Sequence, residues 1–336
     1  TLTQAGSDPY YDRGAFRYYN VNATVDDNGT YHVTGIDRFG GFVNDGTKDV
    51  FVLTPVRYER QTDTGDGYIE LAFSDTPHQG LHREARSADY ATGEPMPYML
   101  RAKYGMSIDS NGKPWSVTAA KIANRTVSQS NLATTCAKKG TRYSGLTFAD
   151  DAYVYDMFLM KYATKSSQSV FAGCTNHQEQ VHPALEEDGV KRVIVAKADA
   201  AKWPVGSAFM LGKQETASSD RTDVQCYNVF DGLKMVSKSD VDDSNTALYF
   251  ETDTAFDTKT TYLLSTAPWR SGACDGIVYD GSPTDNTSGR EPFVIQGIEQ
   301  MSGMFEIIHD GMASNDGTGW VLGEVNTTTN VASSYT

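Results

Sequence analysis

An α+β fold is expected, and three features of the chain carry that expectation. Residues 131–143 read as a short helix, with Lys138 and Lys139 in the last turn and Gly140 at the stop, the usual order of cation and glycine at a helix end. Between 186 and 266 the apolar residues fall in short, mostly alternating runs separated by Gly206, Asp231-Gly232 and Asp242-Asp243-Ser244. That pattern predicts several short strands packed as a small β-barrel or sandwich. Near the C-terminus, Phe293, Ile295 and Ile298 give an apolar strand with a slip at Gly297. Met304, Phe305, Ile307 and Ile308 give a second strand that stops at Asp310-Gly311, a turn pair.

Taken in order, residues 1–47 are polar and aromatic, with a strand-like run, Tyr31-His32-Val33-Thr34-Gly35-Ile36, after the turn Asp27-Asn28-Gly29. So little apolar periodicity buries little surface by itself. An extended arm or connector, packed on a neighbouring subunit or on its own core, is the expectation. Phe51 to Tyr58 reads as a strand carrying Pro55, and Phe73 to His82 as a turn around Pro77 and Gly80. After the helix at 131–143 comes Ser167-Gln168-Ser169-Val170-Phe171-Ala172-Gly173-Cys174. The last loop, Ser271-Gly272-Ala273-Cys274-Asp275-Gly276 and Gly281-Ser282-Pro283, leads into the terminal strands.

The run Gly297-Ile298-Glu299-Gln300-Met301-Ser302-Gly303-Met304-Phe305-Glu306-Ile307-Ile308-His309-Asp310-Gly311 resembles the core motif of C-type-lectin-like domains of the formylglycine-generating-enzyme branch. It looks closest to the form in tail-fibre and other virion proteins of tailed bacteriophages. Gln300 and Met304 stand where that core usually has Asn, and Phe305 where it has Trp. Phe51 to Tyr58, Phe73 to His82 and Ser167 to Cys174 look like further pieces of the same proteins, with a second helix implied at 151–164. The resemblance implies a C-type-lectin-like domain over 48–185 and 268–336. Residues 186–267 would then be an inserted β domain, because lectin-like pieces lie on both sides of it. It also implies that Glu299, Gln300, Met304, Glu306 and Asp310 form the ligand side.

The 336-residue chain is 39% hydrophobic and 21% charged, the composition of a folded globular protein. A net charge of -14 argues against a nucleic-acid or anionic-membrane partner, since phosphate-binding faces need clustered Lys and Arg. No run of 18 apolar residues is present, so no membrane insertion is expected. The chain starts at Thr1 without a visible secretory signal. Cys136, Cys174, Cys226 and Cys274 lie far apart. Free buried thiols are expected in a reducing compartment, and one or two disulfides in an exported protein. The oxidase chemistry of formylglycine-generating enzymes needs paired cysteines late in the domain, and none follow Cys274.

Asp275, Asp280, Asp285 and Asn286 make an acidic, Gly-rich loop whose oxygens suit Ca2+. Their spacing is not that of an EF-hand, and solvated turn residues are the ordinary alternative. His78 and His82, and His177 and His182, lack the H-E-x-x-H spacing of a metalloprotease. Neither a G-x-S-x-G elbow nor a P-loop appears, so no catalytic residues are expected. Tyr10, Tyr11, Tyr18 and Tyr19, which flank Arg17, suit an interface or stacking on sugar rings, with core packing as the alternative.

The resemblance implies a structural or recognition protein of a tailed phage particle: a tail-fibre, receptor-binding or capsid-decoration protein working by non-covalent host attachment. Its expected partners are itself as a homotrimer, other virion proteins and a host-surface glycan or protein. The alternative is a bacterial surface or secreted carbohydrate-binding adhesin.

Overall fold

A computed structural model describes residues 8, 10, 11, 13–26, 29–84, 96–121, 129–140, 142–171, 179–215, 224–267, 270–282, 292–300, 311–315 and 320–324. The fold is α+β, mostly sheet. Its first part contains β1 (Tyr19–Val25), β2 (Tyr31–Ile36), β3 (Val50–Pro55), β4 (Tyr58–Asp63), β5 (Ile69–Ser74), β6 (His82–Arg83), β7 (Tyr98–Ala102), β8 (Ser107–Ile108) and β9 (Pro114–Trp115), followed by α1 (Gln129–Ala137) and α2 (Phe148–Tyr162).

Strands β2, β1, β3 and β7 form one antiparallel sheet in that order. The N-terminal segment therefore packs on the chain's own core, as strands of this sheet. β1 lies between β2 and β3, with Val21 opposite both Ile36 and Phe51. Val21, Ala23 and Phe51 are buried there under Tyr19, Tyr31, Val33, Leu53, Leu100 and Tyr143. β1 alternates strictly, with Tyr19, Val21, Ala23 and Val25 apolar and Asn20, Asn22 and Thr24 polar, which is the pattern of a strand and not of a connector. Asn22 is buried and fills its amide against Val43 O and Asp49 O, both at 2.9 Å. A second sheet, β5-β4-β6, is a long hairpin with a short third strand. Its distal half, from Arg60 to Glu70, is exposed on both faces. Two-sided polarity hides such a hairpin from any periodicity test.

Helix α1 stops at Ala137, six residues before the expected end, because 138–140 continue as single 3-10-type turns. Helix α2 starts earlier than implied. Thr147 caps it by accepting from Asp150 N–H, with Asp150 and Asp151 in the first turn and Lys161 in the last. Acidic residues at the start and a cation at the end match the helix dipole. It ends at Ala163 in a left-handed conformation, φ 52°.

The middle of the chain adds β10 (Gln180–Val181), β11 (Glu187–Val190), β12 (Arg192–Ala196), α3 (Lys197–Ala200), β13 (Ala208–Gly212), β14 (Phe230–Asp240), β15 (Asn245–Phe250), β16 (Phe256–Thr258) and β17 (Leu263–Ala267). Six of these form one antiparallel sheet, β10-β17-β13-β14-β15-β12. Ala184 N–H donates to Ile194 O at 2.7 Å, so the chain just after β10 meets the opposite edge strand. The curled sheet encloses Val193, Val195, Trp203, Phe209, Leu211, Met235, Leu248, Phe250 and Leu264. This sheet begins at Gln180, before the expected boundary at 186.

The last elements are β18 (Phe293–Ile295), β19 (Ile298–Gln300), β20 (Gly311–Asn315) and β21 (Trp320–Glu324), paired β18-β19 and β20-β21. The expected slip at Gly297 is instead a two-residue hairpin turn. Gln296 and Gly297 both have positive φ, 51° and 74°, which is what a type I′ turn requires. The expected second strand at 304–308 lies outside the described residues. Among the described residues no helix is long and apolar enough to cross a membrane.

Candidate functional site

Helix α2 organises the interior through residues that share one face at i, i+3 and i+4 spacing. Lys161, on its last turn, is wholly buried between Asp8 and Asp280, which are wholly buried too. Its Nζ lies 2.6 Å from Asp8 Oδ2 and 2.8 Å from Asp280 Oδ2, and it also donates to Gln296 Oε1. Three N–H donors thus meet three acceptors, as a buried ammonium demands. Asp280 Oδ1 accepts from Gln296 N–H at 2.8 Å, and Tyr162 OH is 3.4 Å from Oδ2. Burial pushes the Asp280 carboxyl up to about 6; Lys161 pulls it down and Asp8 pushes it up.

Two turns earlier, Tyr153 OH accepts from Gln296 Nε2 at 2.8 Å. Its ring lies under two guanidinium groups, Arg101 at 4.1 Å and Arg57 at 5.1 Å. Arg101 holds Thr54 Oγ1 at 2.8 Å, Asp150 Oδ1 at 3.1 Å and Glu84 Oε1. Arg57 pairs with Glu59 at 2.6 Å and Asp156 at 3.4 Å. Burial pushes the Asp156 carboxyl up to about 6, against the pull of Arg57. Tyr153 therefore joins the lysine cluster to the arginine cluster.

The carboxylates expected to hold Ca2+ are divided between separate clusters. Asp280 belongs to Lys161, whereas Asp275 accepts from Tyr104 OH and Thr118 Oγ1. Asp285 lies outside the described residues, as do Met304, Glu306 and Asp310 of the expected ligand side. Among the described residues no group of three His, Cys, Asp or Glu side chains is placed to hold a metal. Glu299 is buried and is a loop clamp, its two oxygens accepting from Gly272 N–H at 2.9 Å and Cys274 N–H at 2.8 Å. A carboxylate so committed cannot face a ligand from the surface. Gln300, half-buried, pairs with Phe293 in β19. Cys136, Cys226 and Cys274 are buried thiols. Burial pushes the Cys136 thiol up to about 11, and pushes Cys274 up as well, with Glu299 adding to the effect. Neither is a ready nucleophile.

The expected interface tyrosines divide in two. Tyr18 is buried, 2% exposed, inside its own chain, so no partner can reach it, and Tyr10 packs on Phe16 at 5.2 Å. Tyr11 and Tyr19, half-buried, instead enter a surface row. The Arg38 guanidinium lies over both rings, at 4.3 and 4.8 Å. Tyr279 packs on Tyr11 at 4.8 Å and Phe39 on Tyr19 at 5.7 Å. Phe39 is 74% exposed and Val278, beside Tyr279, is 73% exposed. Arg38 holds a left-handed φ of 68° at the end of the β2 hairpin, a conformation unusual outside glycine and enriched at functional positions. No sequence signal announces this row, since Tyr11, Arg38 and Tyr279 meet only after folding.

No family model, curated protein or solved structure matches the chain.

Proposed function

We propose that the chain is a structural recognition protein of a tailed phage particle, displayed on its tail or capsid surface, that attaches non-covalently to a host-surface glycan or protein. The observation that carries this reading is the row Tyr279, Tyr11, Arg38, Tyr19 and Phe39 on a rigid, internally pinned body. Half-buried tyrosine rings with a guanidinium stacked between them, beside the exposed ring of Phe39, offer flat apolar faces plus polar edges, which suit a sugar ring or a planar peptide group. Such contacts are weak singly. Several copies on a particle multiply them, and a closed homotrimer is the arrangement proposed. The motif 297–311 supports the C-type-lectin-like reading of the remainder of the chain.

The test uses purified full-length chain and envelopes of the host bacterium. Phe39→Ser should lower binding at least tenfold while leaving thermal stability within ~0.5 kcal/mol, the usual range for surface changes; Arg38→Ala should lower binding as much at a stability cost of about 1 kcal/mol, because its guanidinium also stacks on Tyr11 and Tyr19 and donates to Tyr18 O at 2.8 Å. Binding that survives both substitutions would sink the proposal. Light scattering on the same samples measures the oligomer, and mass spectrometry of purified particles establishes whether the chain is part of them.

A further inference from the structure

Lys161, Asp8 and Asp280 together hold the atoms of an amide bond plus one water. In water, amines and carboxylic acids do not condense at neutral pH, because each is held in its charged form. An apolar site penalises both charges and so lowers the cost of bringing amine and carboxyl together in neutral form. Here the three side chains have zero exposure. The rings of Tyr18 and Tyr162 wall them, Tyr18 with its centroid 6.0 Å from Lys161 Nζ. Fixed contact between amine and carboxyl also supplies the proximity that solution lacks, equivalent to an effective concentration of ~10⁵ M or more in well-oriented intramolecular reactions.

We propose that Lys161 and Asp280 condense into an intramolecular isopeptide bond, with Asp8 as proton carrier. A proton first passes from the Lys161 ammonium to Asp280 Oδ2, 2.8 Å away, leaving a neutral amine beside a neutral carboxyl. Nζ then attacks Asp280 Cγ, and the C–N bond forms. Charge developing on Oδ1 meets the Gln296 N–H already at 2.8 Å, the geometry of an oxyanion-stabilising donor. Asp8 Oδ2, 2.6 Å from Nζ, takes one proton from the nitrogen and returns it to the Asp280 hydroxyl as the C–O bond breaks. One water leaves and Asp8 ends as it began.

The two carboxyls are suited to different parts. Asp8 Oδ1 accepts from Tyr10 N–H at 3.0 Å, which fixes the carboxylate with Oδ2 toward Lys161 Nζ. Asp280 is the one whose burial raises its affinity for a proton. Lys139 provides an internal contrast. It too is buried against tyrosine and phenylalanine rings, but among the described residues it pairs with a single carboxylate, Asp49, at 2.7 Å. Asp109 acts on it electrostatically but makes no ion pair with it among the described residues, so no adjacent second carboxyl is placed there to move the proton and that pair stays an ion pair.

Intact-mass spectrometry of the folded full-length chain, denatured just before measurement, is the direct test. The expected mass is one water below that of the sequence, with the peptides containing Lys161 and Asp280 joined after digestion. Lys161→Arg and Asp8→Asn should each restore the full sequence mass, the first by removing the nucleophile and the second the proton carrier. Asp280→Asn should instead lose ammonia and give the same product as the parent chain. The parent chain's own mass decides the matter even if a variant fails to fold. A full sequence mass with the two peptides separate overturns the proposal. A bond from Lys161 to Asp8, or loss of ammonia through Gln296 in the parent chain, overturns the assigned partners.

Discussion

At Asp156 two carboxylates compete for one guanidinium. Arg57 is closer to Glu59, at 2.6 Å, than to Asp156, at 3.4 Å, so burial of Asp156 is poorly compensated and its carboxyl is pushed up to about 6, with Glu59 and Glu84 adding to the rise. A carboxyl that holds its proton more tightly in the folded state contributes stability at low pH. That contribution is lost as pH rises from about 4 to about 6. Asp156→Asn, which resembles the protonated form, should equal the parent at about pH 4 and exceed it by about 1–2 kcal/mol at about pH 7.5, the full shift being discounted for partial exposure. Thermal unfolding of both proteins at both pH values checks this, and an identical difference at the two pH values would refute it. Glycine positions supply a sharper contrast. A Cβ on Gly297 would sit 2.8 Å from Tyr18 Cε2, at φ 74°, whereas Gly65, at φ 78°, has nothing within 4 Å. Gly297→Ala should therefore cost about 3 kcal/mol through clash and strain together, and Gly65→Ala about 1 kcal/mol through strain alone. Urea unfolding of the two variants separates these terms, and equal costs would mean that Tyr18 yields freely.

Among the elements, the curled sheet surrounds the largest cluster of buried apolar side chains. Trp203 sits 1% exposed beside Phe209, ring centroids 5.1 Å apart, inside the sheet formed by β10 to β17. Trp203→Ala should cost about 3–5 kcal/mol, the range for deleting a large buried aromatic, and differential calorimetry would show it as a lowered transition for this part of the chain. A cost under about 1 kcal/mol would mean that the site collapses to fill the void. These strands are legible because their apolar runs are short and bounded by turn residues, β13 and β17 being buried along their whole length. Other elements escape for different reasons. β1 alternates strictly, but Asn20, Asn22 and Thr24 give the segment the polar look of a connector, β4 and β5 expose both faces distally, and the β18–β19 turn uses Gln-Gly where Asn-Gly is the strong signal. The lysine cluster was invisible for another reason: its members lie 119, 135 and 153 residues from Lys161, and no local pattern encodes such a meeting. Asp280 was noticed, but as a metal ligand, because an acidic loop reads the same whether its partner is a cation from solution or a lysine from a distant helix.

For the molecule as a whole, the question is whether the curled sheet is a separable unit set into the remainder. An insertion requires its two ends to lie side by side. Gln180 pairs with Ser265 and Val181 with Leu264 at the edge of the sheet, so the entering and leaving strands are adjacent. The hydrophobic cluster inside the sheet is drawn wholly from residues 181–264, while Phe158, Tyr162, Phe171 and Ile295 form a cluster with members from both sides of that span. Polar contacts do cross: Lys121 reaches Asp231 at 2.7 Å, with Lys121 half exposed. A surface pair of that kind contributes at most ~1 kcal/mol, far less than the burial of either cluster. Deleting 180–267 and joining the ends with a short Gly-Ser linker should leave the flanking parts folded and their transition within a few degrees of the parent, a shift that ~1 kcal/mol produces in a domain of this size. The linker only has to bridge the gap between adjacent strands, about 5 Å in an antiparallel pair. Near-ultraviolet circular dichroism and calorimetry of the shortened chain give the reading. Retained tertiary signal with one cooperative transition is the expected result, and loss of that signal would show that the two clusters fold as one.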